Sequence, residues 1–173
     1  MTLDRLSAIE TGYVELAARG TPIQIGSVGV FEGGPLFDGH GRFRLEEVRT
    51  RVASRLHLLP RLRQRIAGSP GGLARPVWID AAGFDIANHV DVVSLSRPLD
   101  ETVLLELAAD LLSTPLDPHH PPWHLCFVTG LEGGRVALVE RASHALIDGV
   151  SGVDLAVVLL DLGPEAEAVD APD

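Results

Sequence analysis

The sequence predicts an α/β domain, and three observations carry that prediction. Strand-like and helix-like periodicities alternate along the chain. Two apolar runs, Trp123 to Val128 and Arg135 to Glu140, are joined by Thr129-Gly130-Leu131-Glu132-Gly133-Gly134, a strong hairpin signal. Finally, 46% of the 173 residues are apolar, enough for the core of one domain. Aromatic residues make up only 5%, so that core must rest on Leu, Val, Ile and Ala.

Taken in order, Leu3 to Ala18 has partly helical spacing, with Asp4 or Ser7 as its cap. Ile23 to Phe31 alternates in the manner of a strand, and Gly33 to Gly41 is a glycine-rich loop. Phe43, Leu45, Val48, Val52 and Leu56 recur at helical period with Arg and Glu opposite, until Leu59-Pro60 ends the pattern. Leu62 to Ile66 is short and extended, Ser69 to Gly72 is a turn, and Pro76 to Ile79 and Val90 to Leu95 read as short strands. Asp100 caps a helix over Glu101 to Ser113, and Pro115 to Pro122 is an extended loop. After the hairpin comes a loop around residues 143–149. Ser151 or Asp154 then opens a buried helix to about Leu162, stopped by Gly163-Pro164. Residues 1–163 are thus predicted to form one domain and 164–173 an acidic linker or tail.

The formal charge of −10 argues against generic nucleic-acid binding, which needs basic surface to neutralise phosphates. All 14 basic residues are arginine, a mark of genomic composition rather than of chemistry. The single cysteine, Cys126, excludes an internal disulfide and, inside Leu125-Cys126-Phe127-Val128, reads as a buried, inert thiol. The N-terminus lacks a signal-peptide core, and no stretch approaches the ~20 apolar residues of a membrane span. A cytoplasmic location follows as the expectation, with peripheral contact at a membrane or lipid inclusion left open.

The segment with most chemistry is Ser143-His144-Ala145-Leu146-Ile147-Asp148-Gly149, which contains H-x-x-x-D-G after a Val-rich strand. A histidine at the carboxyl end of a strand is placed where ligands meet open α/β sheets, and it can act as a general base near neutral pH. Asp148 reads as a group that shapes the loop, with Arg141 or another arginine as partner, and Gly149 as a position that keeps the approach clear. Ser143 and His144 are neighbours on an extended chain and point apart, so Ser143 is not read as a nucleophile activated by His144. His119, His120 and His124 lack a completing carboxylate or cysteine set and read as loop residues rather than zinc ligands. Trp78 and Trp123 read as core anchors.

Further segments fall in a recognisable order around that motif. They are Pro60-Arg61-Leu62-Arg63-Gln64-Arg65, Arg75-Pro76-Val77-Trp78-Ile79-Asp80, Phe84-Asp85, His89-Val90, Pro115-Leu116-Asp117 and Pro122-Trp123, with Ile25-Gly26 and Phe31-Glu32 upstream. Together with Leu131 to Val139 and His144 to Gly149 they resemble the N-terminal half of the bacterial wax ester synthase/diacylglycerol acyltransferases, over residues 3 to 162. The resemblance implies a fold like the N-terminal half of chloramphenicol acetyltransferase and of peptide-synthetase condensation domains, a mixed sheet flanked by helices. It also implies a second, C-terminal half, as a further domain or chain, with a tunnel between the two.

The implied reaction is direct transfer of a fatty acyl group from acyl-CoA to a long-chain alcohol or diacylglycerol. His144 would be the base, supported by Ser143, Asp148 and Gly149, and no cofactor would be needed beyond acyl-CoA as substrate. Two positions depart from the family pattern. Ser143 stands where the family has the first of two histidines, and Pro122 stands where it has leucine in Pro-Leu-Trp. Two alternatives stay open: a non-catalytic domain that binds a partner or lipid, and a condensation-type acyltransferase fed by a carrier-protein thioester.

Overall fold

The computed structural model describes residues 4–21, 23–68, 74–149 and 159–160 and, within those spans, every side chain except those of 95–99, 148 and 149. Two sheets organise it. The larger has the order β2-β7-β6-β5, formed by β2 (Gln24–Glu32), β7 (Arg135–Ser143), β6 (Trp123–Leu131) and β5 (Val90–Leu99). β2, β7 and β6 run antiparallel, whereas β5 lies parallel to β6, so the sheet is mixed. The parallel pair needs a crossover, and α3 (Glu101–Ser113) supplies it. The smaller sheet, β1-β4-β3, comprises Asp4–Arg5, Val77–Asp80 and Gln64–Ala67.

The hairpin forms as predicted but with longer arms, from Trp123 to Leu131 and from Arg135 to Ser143. Its connection turns at Gly133 and Gly134, with φ of 74° and 71°, a region that favours glycine. β7 is apolar on both faces because both are covered. Val136, Leu138 and Ala142 join a cluster with Val48 and Val52 of α2 (Leu45–Arg55), Leu6, Leu62 and Trp78. Ala137 and Val139 face Leu104 and Ala108 of α3. Trp78 and Trp123 are both buried, as core anchors should be.

Local sequence explains most helix boundaries. Ser7 begins α1 (Ala8–Ala18) with a capping box: its Oγ accepts from the Glu10 N–H, and Glu10 Oε2 accepts from the Ser7 N–H. Asp100 Oδ1 accepts from the Val103 N–H at 2.9 Å and so caps α3. At the other end of α3 the exposed carbonyls are met from the sheet. Arg141 Nη1 donates to Leu111 O and Thr114 O at 2.7 and 2.6 Å, and Gln24 Nε2 donates to Leu112 O and Thr114 O at 3.2 and 3.0 Å. A cation at the C-terminal end also suits the helix dipole. Gly26 permits the close approach of β2 to β7, since a Cβ there would run into the Glu140 carbonyl and a Leu112 methyl.

Several boundaries depart from the sequence expectation. Asp4 does not open the first helix; Asp4 and Arg5 pair with Trp78 and Val77 instead. Phe43 lies ahead of α2, bridged to Phe37. β5 runs past Leu95 to Leu99, its pairing with β6 shifting register between Ser94 and Leu99. Residues 144–149, expected as a loop, form α4 (His144–Gly149). The helix expected from Ser151 or Asp154 and the tail at 164–173 fall outside the described residues, apart from Leu159, which is buried in the main core, and Leu160 beside it.

Candidate active site

His144 is the first residue of α4 and follows β7 without a linker. Its position is set from three directions. The His144 N–H donates to Ile23 O at 3.0 Å, just ahead of β2, and the Ser143 N–H donates to Pro122 O at 2.9 Å, just ahead of β6. Ser143 Oγ accepts from the Ala145 N–H at 3.3 Å, at the entry to the helix. Ala145 and Leu146 are fully buried, which seats α4 on the core and leaves His144 half-buried at its head. The imidazole also meets an aromatic ring: Tyr13 of α1 lies with its centroid 4.8 Å away and the planes tilted by 38°.

Of the site residues read from the sequence, Ser143, His144, Asp148 and Gly149 thus share one strand-to-helix junction. The Asp148 side chain and the surroundings of Gly149 lie outside the described residues, and only their place in α4 is given. Arg141, one candidate partner for Asp148, has its Nη1 hydrogen bonds at the end of α3. Nothing in the sequence around Tyr13 marks it as a site residue. Its helix is separated from the motif by most of the chain, and no local pattern links the two.

The other histidines divide by environment. His119 and His120 belong to the loop before β6, where Asp117 Oδ1 accepts from the His119 N–H at 2.8 Å and His120 Nε2 lies 3.8 Å from Asp117 Oδ2. His124 is not a loop residue, contrary to expectation. It sits on β6 with its side chain only 14% exposed, and its Nε2 is 3.4 Å from Asp91 Oδ2. Burial opposes ionisation of Asp91, but the His124 hydrogen bond, the adjacent Cys126 thiol and Arg141 outweigh it and hold the carboxyl below its usual value. Cys126 is buried, and burial followed by the charge of Asp91 pushes its thiol up to about 12, which makes it unreactive near neutrality. Among the described residues no three His, Cys, Asp or Glu side chains gather as a metal site.

His89 is buried between two rings, with Phe84 at 5.0 Å and Trp123 at 4.5 Å, both nearly parallel to it. Its Nδ1 is 3.0 Å from Trp123 O, a carbonyl that can only accept, so the neutral ring carries its proton on Nδ1. Burial lowers the His89 pKa from 6.5 to about 4, only partly offset by that hydrogen bond. Between pH 6.5 and 4 the unfolded chain therefore binds the extra proton and the folded one does not. Stability should fall as pH drops through this window, by about 3 kcal/mol in all, and stay flat above it as far as His89 is concerned. Urea midpoints at pH 5 and pH 7 for the natural chain and for His89→Phe measure this. The phenylalanine variant should lose much of the pH slope, and an equal slope in both would refute the assignment.

A mixed four-stranded sheet, a parallel crossover through α3 and a histidine at the head of α4 define an α/β domain whose candidate base stands at a strand-to-helix junction. Residues 6–173 match the family model of the wax ester synthase/diacylglycerol acyltransferase catalytic domain, and the chain belongs to that family. A probable diacylglycerol O-acyltransferase of Mycobacterium tuberculosis, tgs3, is 36% identical over 157 residues, covering 91% of this chain and 56% of its own. A second from the same species, tgs1, is 31% identical over 161 residues, covering 92% and 33%.

Among solved structures, the wax ester synthase/diacylglycerol acyltransferase of Marinobacter aquaeolei VT8 matches with a TM-score of 0.61 at 24% identity, over 85% of this chain and 36% of that one. The starter condensation domain of rhizomide synthetase matches with a TM-score of 0.66 at 16% identity, over 92% and 36%. These likenesses establish the fold. The chain spans about a third to a half of the length of these relatives. None of the described helices is long and apolar enough to cross a membrane.

Proposed function

We propose that this chain is the N-terminal part of an O-acyltransferase that moves a fatty acyl group from acyl-CoA to a long-chain alcohol or diacylglycerol, with His144 as general base. The observation that supports this reading most directly is the placement of His144: backbone-anchored at the head of α4, half-buried, in a chain matched along residues 6–173 by the family. Its Nε2 takes the proton of the acceptor hydroxyl as that oxygen attacks the thioester carbonyl. The carbon–oxygen bond forms, the carbon–sulfur bond breaks, and the proton passes from the imidazolium to the leaving thiolate.

Ser143, Asp148 and Gly149 serve the junction that presents the imidazole. Acyl-CoA enters as substrate, and no other cofactor takes part. On this reading residues 1–163 are the acyltransferase half and 164–173 an acidic linker or tail, and a C-terminal half, as further domain or separate chain, completes the substrate tunnel. The assembled enzyme works in the cytoplasm, in peripheral contact with membrane or lipid inclusions where its substrates reside.

The test is to co-express the chain with a C-terminal half of the family and to assay acyl-CoA against hexadecanol and diacylglycerol. Ester formed from acyl-CoA is the expected result. Turnover with an acyl-carrier thioester but not with acyl-CoA would overturn the donor assignment, and a folded complex inactive with every pair would overturn the enzymatic reading.

A further inference from the structure

We propose that Tyr13 is a positioning residue for His144: its ring, carried on α1, is a wall that restricts the orientation of the imidazole. The inference rests on His144 being the base, and it names what aims that base. Hydrogen bonds from the Ser143 and His144 backbone fix where the His144 Cβ stands. They leave rotation about the side-chain bonds open, and the last torsion of histidine is broad and nearly two-fold. A base must be held within about 0.5 Å and 10–20° of its working geometry. The Tyr13 ring, 4.8 Å from the imidazole and tilted by 38°, closes off part of that rotation.

Tyr13 is itself well placed to act as a wall. With Val14 it is the part of α1 that packs on the main core, while Ile9 and Leu16 on the same helix stay exposed, at 64% and 44%. The helix is registered at its start by the Ser7–Glu10 capping box and by fully buried Leu6. The aim of the imidazole is thereby tied to the N-terminal segment, far from it in sequence. An aromatic wall has a second advantage over an aliphatic one: its π-face tolerates, and attracts, the imidazolium formed when the base takes its proton.

Tyr13 is the only tyrosine in the chain, so its ring protons can be identified without ambiguity by NMR. In the natural chain, nuclear Overhauser contacts are expected between the Tyr13 ring and the His144 Cδ2 and Cε1 protons, with the imidazole protons shifted by the tyrosine ring current. Tyr13→Phe should keep that shift, and Tyr13→Leu should abolish it. In the assembled enzyme Tyr13→Phe should turn over within about twofold of the natural protein, whereas Tyr13→Leu should lose about tenfold or more in kcat, with KM changed less than about twofold.

Absence of the Overhauser contacts, or full turnover in a folded Tyr13→Leu protein, would overturn the proposal. If Tyr13→Leu does not fold, the contacts in the natural chain and the Tyr13→Phe spectrum still decide it. If the assembled natural enzyme makes no ester, the acyltransferase reading fails, while the same spectra report separately on whether Tyr13 orients the ring.

Discussion

His144→Ala is expected to lower acyl transfer by the assembled enzyme by about 10²- to 10⁴-fold, the usual contribution of a positioned acid–base group. The argument is geometric. His144 stands at the strand-to-helix junction of the motif, with its main chain tied to Ile23 and its ring against Tyr13. Alanine keeps the main-chain hydrogen bond and favours the helix, so α4 should remain and only the imidazole be lost. The loss should appear in kcat, with substrate affinity largely kept, because the proton transfer belongs to the chemical step. His144→Gln is the companion variant: it holds a polar side chain of similar reach but cannot accept and return a proton at neutral pH. Initial rates of ester formation measure both. Unchanged turnover in either would show that the base lies elsewhere.

The second large effect concerns stability. Trp123→Ala should cost about 3–5 kcal/mol, the range for deleting a large buried ring. Trp123 is 1% exposed, its indole N–H donates to Leu62 O at 2.8 Å, and its ring stacks on His89. Truncation opens a cavity at the start of β6, strands a buried carbonyl and uncovers one face of His89. Domains are typically stable by only 5–15 kcal/mol, so this variant should be close to unfolding at room temperature. Trp123→Phe keeps an aromatic ring, though a smaller one than the indole, while losing the hydrogen bond, and should fall between. Urea unfolding gives both numbers, and a loss below about 1 kcal/mol in the alanine variant would contradict the central role of this residue.

Local features that a short window contains are legible in the sequence. The helix over Glu101–Ser113 with Asp100 as its cap forms as read, because periodicity and capping chemistry agree. The hairpin forms because two apolar runs flank glycines able to take positive φ. β1 was not legible: two residues carry no periodicity, and their partner strand lies more than seventy positions away. α4 was hidden for a related reason, since six residues are too few to show a helical pattern. His124 reads as a loop residue only through its grouping with His119 and His120, although it lies inside the apolar run Trp123–Val128; its neighbours in space are Asp91 and Arg141, on the strands either side of β6.

By itself the sequence determined the class of fold, the family and the position of the candidate base, since motifs and periodicities are written in consecutive residues. The tertiary structure decided what surrounds that base. That Tyr13 lies against His144, that Arg141 closes the end of α3, and that Phe84 and Trp123 enclose His89 all depend on packing between elements distant along the chain. Such contacts follow from sheet order and helix placement, and those emerge only when the whole core closes at once.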